Sequence, residues 1–138
     1  MIRESRLPKI DLDFTKEKQN GKEIVQLKDK ELFDNVAKEW AEAISKTKKT
    51  QARNFYDKIL DLEKKVKENG FESTYPFIKM LNSKVAYGVN RRVVSEEFQD
   101  MMSQCLDQIK INDNKGEQKF KHFKLFFEAV LGFFKGSN

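Results

Sequence analysis

Ser73 to Ser95 reads STYPFIKMLNSKVAYGVNRRVVS, without one Asp or Glu, in a chain that is 36% charged. Its charge comes from Lys79, Lys84, Arg91 and Arg92. Pro76 is suited to open a helix, because the first turn has no N–H bond for a proline to lose. From there Phe77, Leu81 and Val85 recur every four residues with Ile78 beside them, an apolar helical stripe. Lys84, Tyr87 and Arg91 follow at i, i+3 and i+7, so one helix face carries a cation, a ring and a cation. Two readings of this stretch stay open. A basic face with an aromatic and no acid suits a nucleic-acid backbone. Alternatively the helix is buried, Tyr87 is core, and the arginines sit at a C-terminus where the helix dipole favours cations.

Working outward, the segment before it reads as two further helices. Leu32, Phe33, Val36, Trp40 and Ile44 form the stripe of a helix over about residues 29–45, with Trp40 as a core anchor. Lys46, Lys48, Lys49 and Arg53 then crowd into eight acid-free positions. Thr47 or Thr50 is a candidate cap for the helix that follows, which Asn69-Gly70 ends. Its core face is Ala52, Phe55, Ile59, Leu62 and Val66. Cations oppose the dipole at a helix start, so two readings of this cluster stay open, an anionic ligand or a solvated charged face.

On the other side, Ser95-Glu96-Glu97 is a strong helix start, a serine cap followed by acids in the first turn. Phe98, Met102, Cys105 and Ile109 continue it as core, with Met101 and Leu106 flanking. Residues 112–116 break the helix, and Asn114 with Glu117 resembles a capping box. The last helix, about residues 117–134, holds Phe120, Phe123, Phe126, Phe127, Phe133 and Phe134 besides Leu125, Val130 and Leu131. More than one stripe of it is apolar, so it is either central or touches another chain. Lys119, Lys121, His122 and Lys124 make its polar side, with His122 read as a surface residue.

Residues 1–28 read as a weakly ordered arm, charged and interrupted by Pro8 and the Asn20-Gly21 turn signal. A hairpin there would be marginal alone. The arm is taken as flexible unless a partner or the bundle orders it. The fold class is therefore all-α: a compact bundle of about five helices over residues 29–138, behind a flexible arm at 1–28.

At 138 residues the chain suits one domain with a real core. Lone Cys105 permits no internal disulfide and fits a reducing compartment. The first residues lead into no apolar run, so no secretory signal is expected, nor a membrane span. A cytoplasmic protein is the expectation. Net charge is +5, but residues 46–53, 73–95 and 118–127 carry +4, +4 and +3, leaving −6 for the rest. Such segregation is the footprint expected of a surface that tracks phosphates if the three patches face one way, and of separate solvated patches if they point different ways. No phosphate-loop, dinucleotide, zinc-protease or serine-hydrolase motif occurs. One histidine and a core-facing cysteine offer neither a dyad nor a metal site. The chain reads as a non-enzyme without cofactor or metal.

Thr50-x-x-Arg53-x-Phe55-Tyr56, then Lys84-Val85-Ala86-Tyr87-x-x-x-Arg91, then Phe123-x-x-Phe126-x-Glu128-Ala129-Val130 occur in that order. Together they resemble the small subunit of the Csm complex, the type III-A CRISPR effector, over about residues 30–135. That resemblance implies a helical bundle without a nuclease centre, stacked in copies along the guide–target RNA duplex. It implies guide RNA, target RNA, the backbone and large subunits and further copies of the chain as partners. It also implies that Arg53, Lys84 and Arg91 contact RNA phosphates while Tyr87 helps to hold the site. Ser83, where the family often has proline, and Phe133-Phe134, where a tyrosine is usual, depart from the pattern. With the neighbouring cations added, the RNA candidates are Lys48, Lys49, Arg53, Lys84, Tyr87, Arg91, Arg92, Lys121 and Lys124. Phe133 and Phe134 are the candidate protein interface. The competing reading is a protein–protein adaptor that docks a partner through the aromatic last helix, its basic faces merely solvated.

Overall fold

The computed structural model describes residues 7–138. The first regular element among the described residues is a hairpin, β1 (Phe14–Gln19) and β2 (Lys22–Leu27), antiparallel with Phe14 opposite Leu27 and Gln19 opposite Lys22. Six α-helices follow: α1 (Ala37–Ala43), α2 (Lys49–Asn69), α3 (Phe71–Lys79), α4 (Leu81–Asn90), α5 (Glu96–Leu106) and α6 (Gly116–Phe133). A π-helical turn, Leu32–Val36, runs straight into α1, and α3 and α4 form one rod bent at Met80. The architecture is thus a bundle of five rods, as the apolar periodicities predict.

Helix α6 is its centre. It packs against α1, α2 and the π-turn, and buries Phe120, Phe123, Phe126, Phe127 and Val130. Phe127 meets Phe98 and Phe123 edge-on, at 6.0 and 6.3 Å, the arrangement aromatic quadrupoles favour. The aromatic excess of this helix is therefore mostly core. Helix α2 buries Ala52, Phe55, Ile59, Leu62 and Val66, the predicted face. Helix α5 starts as predicted, with Ser95 Oγ accepting from the Phe98 N–H at 3.1 Å. Trp40 is 1% exposed, and its Nε1–H donates to the Pro8 carbonyl at 2.8 Å.

That last bond belongs to the arm, and the bundle is what orders its described part. Ile10, Leu12 and Phe14 are buried within the helical core. The alternation with Asp11 and Asp13 turns these three side chains one way, as in any extended segment. Extended backbone needs partners for its polar groups, and two glutamines supply them, Gln104 of α5 and Gln108 in the turn after it. Gln104 accepts from the Ile10 N–H at 3.1 Å; Gln108 accepts from Leu12 at 2.8 Å and donates to the Ile10 carbonyl at 2.6 Å. Residues 1–6 of the arm lie outside the described residues.

His122 is a correction. It is 4% exposed, not a surface residue among lysines. Its Nδ1 donates to the Leu12 carbonyl at 3.0 Å and its Nε2 accepts from the Gln118 amide at 3.0 Å. Phe14 stands against the ring at 5.3 Å. Its role is to receive the N-terminal segment, a contact across 110 positions that local pattern cannot show.

Three helix boundaries also differ. The α3–α4 rod starts at Phe71, directly after Gly70 (φ 94°), so Pro76 lies inside it and not at its start. The buried stripe is accordingly Ile78, Leu81 and Val85, while Phe77 is 54% exposed. Neither Thr47 nor Thr50 caps α2: the Lys49 N–H is satisfied by the Ser137 carbonyl at 2.8 Å. Buried Thr47 instead accepts from the Ser95 N–H at 3.0 Å, tying α2 to the start of α5. No Asn114 cap forms on α6; Asp113 accepts from the Lys115 N–H at 2.9 Å instead.

Candidate nucleic-acid interface

Helix α4 has a buried side, Leu81, Val85 and Gly88, and an exposed side that carries Lys84, Tyr87 and Arg91. Tyr87 is 64% exposed, which ends the reading of it as core. The Arg91 guanidinium sits over its ring, 5.4 Å from the centroid, as i and i+4 positions on a helix allow. Among the described residues neither Lys84 nor Arg91 forms an ion pair. The predicted cation–ring–cation face is therefore presented to solvent.

Beyond it the helix ends in an unusual way. The Val93 N–H donates to the Gly88 carbonyl at 3.0 Å, and the Arg92 N–H to Val89 at 2.9 Å. These two bonds make a Schellman ending, whose left-handed position normally holds glycine. Here Arg92 holds it, at φ 62°. A left-handed non-glycine residue costs roughly 1–2 kcal/mol, so a cation occupies a place where folding would favour its loss.

Helix α4 lies beside α2, and between them is an open cleft of about 400 Å³ lined by Gln51, Asn54, Phe55, Lys58, Ser83, Lys84 and Tyr87. Phe55 is 7% exposed and backed by Phe98 at 5.3 Å. No carboxylate lines the cleft. Sequence reasoning missed Gln51, Asn54 and Lys58. They recur at i, i+3 and i+7 on α2, but Asp57 beside Lys58 hid the pattern when charge was counted by stretch.

Arg53 does not join this face. It lines a separate groove with Lys49, Leu131, Phe134 and Lys135, where α2 begins and α6 ends. One helical residue is a turn of about 100°, so Asn54 can face α4 only if Arg53 faces elsewhere. The chain thus has two basic surfaces, one on each side of α2. Lys48 is partly committed, its Nζ donating to the Asn138 carbonyl at 3.1 Å.

The third acid-free stretch fares differently. Lys124 lies 3.4 Å from Glu128 and 4.0 Å from Glu63, and Lys119 lies 3.8 Å from Asp113. Tyr56 stacks on Phe127 and donates to Glu128 at 3.1 Å, so this corner is a closed polar network. Burial and the Glu128 carboxylate together raise the Tyr56 pKa. Of the third patch, Lys121 alone is exposed and without an ion pair among the described residues. In the central stretch, Lys79 is turned inward and donates to the Leu106 carbonyl, and burial lowers its pKa.

The two candidate interface rings separate as well. Phe133 is 40% exposed, whereas Phe134 is half-buried against the core. Cys105 is fully buried and burial pushes its thiol pKa up, which suits packing and not reactivity. No cluster of His, Cys, Asp and Glu among the described residues would hold a metal ion. Nor is any helix among them long and apolar enough to cross a membrane.

The family model described as Csm2 Type III-A matches residues 26–138. No curated protein and no solved structure matches the chain.

Proposed function

The chain belongs to the Csm2 Type III-A family, the small subunits of type III-A CRISPR effector complexes, and from that premise we propose that it binds RNA backbone in its complex. The observation that carries this reading is the exposed face of α4, where Lys84, Tyr87 and Arg91 stand together beside a cleft without a carboxylate. Unpaired cations next to an exposed ring supply the two terms of single-strand binding, phosphate neutralisation and stacking. Arg92 extends the row. Lys49 and Arg53 form a second contact on the other side of α2, so a strand or duplex would have to wrap that helix to meet both. Lys121 adds to neither cleft, and Lys48 and Lys124 are the weakest of the candidates because each already has a partner.

In this reading the subunit contributes binding and no catalysis. Its ligands are the guide and target RNA, held non-specifically, and its protein contacts are the backbone and large subunits and further copies of the chain. Exposed Phe133 is the residue we assign to contact between copies. The place of work is the cytoplasm.

Salt dependence tests the proposal. Affinity for single-stranded RNA should fall log-linearly with salt, with a slope of roughly −0.7 per phosphate neutralised. Lys84→Glu and Arg91→Glu should each weaken binding and flatten that slope by about 0.7. Lys64→Glu and Lys67→Glu, exposed on α2 and outside both basic surfaces, are the controls. Equal losses at all four positions would show general electrostatics and sink the assignment. A flat salt profile together with assembly that depends on Phe133 would favour the adaptor.

A further inference from the structure

The cleft between α2 and α4 has features that a phosphate track does not need. A surface that follows backbone charge requires cations, yet this hollow also holds two side-chain amides, a hydroxyl and two aromatic rings. Its volume, about 400 Å³, falls at the lower end of the roughly 300–1,000 Å³ typical of small-molecule sites. It is too small for a duplex. We infer that this cleft takes one unstacked nucleobase of an RNA strand, laid against Tyr87, with the flanking phosphates on Lys58 and Lys84. The inference rests on the RNA-binding reading above and adds to it a base-dependent part.

Each wall has a matching property. Arg91 covers one face of the Tyr87 ring at 5.4 Å, and a cation there holds the ring in place while leaving the other face to stack. Stacking suits any base, since every base has a π-face. Gln51 and Asn54 each offer a donor and an acceptor, and neither side chain is hydrogen-bonded within the described residues. Such amides can meet the edge of a base, whose polar groups are exposed once it leaves the stack. Ser83 Oγ donates to the Met80 carbonyl at 3.0 Å, so its lone pairs remain available to accept. Phe55 closes the floor with an apolar surface. A base in a perfect duplex is stacked and paired, so only an unpaired or extruded nucleotide fits.

The test compares the full chain binding a short single-stranded RNA with the same strand carrying abasic positions, which keeps every phosphate. Base stacking measured by alanine substitution corresponds to roughly 5- to 150-fold per base, so the abasic strand should bind weaker by a factor in that range. The salt slope should be unchanged. Tyr87→Ala should bring the intact strand down to the abasic level and leave the abasic strand as it was. Tyr87→Phe should restore the difference. Tyr87 is mostly exposed, so a thermal melt should report a folded variant in each case. Equal binding of intact and abasic strands to the native chain overturns the cleft and leaves the backbone reading standing. Equal weakening of both strands by Tyr87→Ala does the same. No binding of either strand overturns both readings together. Free adenosine monophosphate, titrated in parallel, separates a base presented by a strand from a soluble nucleotide; tighter binding of the free nucleotide than of the strand would overturn the inference.

Discussion

Replacing Phe14 by alanine tests whether the N-terminal segment belongs to the bundle. The ring is fully buried, stands against His122 at 5.3 Å, and has the ammonium of Lys115 5.1 Å from its centroid. Removing a buried phenyl group costs about 3–5 kcal/mol, as lost transfer energy plus the cavity left behind. At this chain length each kcal/mol moves the melting temperature by about 3–5 °C, so the expected drop is roughly 10–25 °C. Val25→Ala is the comparison, because Val25 is half-buried opposite Lys16 in the hairpin beyond. A cross-strand pair of that kind contributes about 0.2–1 kcal/mol, or a few degrees at most. Thermal unfolding followed by circular dichroism reads both, and amide exchange at Ile10 and Leu12 shows whether the segment has come loose. A Phe14→Ala melt within about 3 °C of the native chain would refute the docking. Residues 7–14 would then be an appendage that the helices do not need.

Other outcomes are expected elsewhere. Arg92→Gly should raise stability by about 1 kcal/mol, since glycine adopts the left-handed Schellman position without strain, while weakening RNA binding; a melt that shows no gain would mean that Arg92 is not strained. Asp13 is held by Lys28 at 2.7 Å and Lys115 at 2.9 Å, and the Lys28 hydrogen bond is the largest cause of its lowered pKa. A carboxylate depressed in the folded state stabilises above its ordinary value of 3.8 and loses that contribution as pH falls. Melts between about pH 5 and pH 2 should therefore decline more steeply for the native chain than for Asp13→Asn; parallel declines would refute the linkage. Phe133→Ser should leave the melting temperature within a few degrees but weaken self-association in sedimentation, whereas Phe134→Ser should cost stability. Loss of fold at Phe133→Ser would place that ring in the core.

The helices were readable because their signals are local. Apolar residues at i, i+3 and i+4, a serine cap with two acids behind it and an Asn-Gly stop are each complete within one segment of chain. What failed to show was anything completed from a distance. The start of α2 looked as if it needed a threonine cap, and a backbone carbonyl from Ser137 does that work. His122 looked solvated because Lys121 and Lys124 stand near it in sequence, but on a helix positions i−1 and i+2 point away from it, and the residue that covers it is Phe14. The arm looked disordered because its charges outnumber its apolar residues. Three alternating apolar side chains were enough to dock it once Gln104 and Gln108 could satisfy its backbone.

The charge segregation read along the chain survives only in part in space. Counting acids along the chain treats each acid-free stretch as a free cationic surface, but ion pairs form in space. Glu63 comes from α2 and Glu128 from the next turn to meet Lys124, and Lys79 folds inward to a carbonyl. With Lys48 also donating to the Asn138 carbonyl, each of the three stretches loses at least one cation that the count had credited to it. Lys58 was never credited, because Asp57 precedes it, yet it faces the cleft. A better sequence signal would weigh charge by helix face. On α4 that weighting keeps Lys84, Tyr87 and Arg91 on one side. On α2 it separates Arg53 from Asn54 and Lys58, which divides the three cations of the family pattern between two surfaces. Whether one RNA reaches both is then a question of wrapping, and the salt slope measures it: two surfaces engaged together neutralise more phosphates than either alone, so Arg53→Glu should flatten the slope even in a Lys84→Glu background.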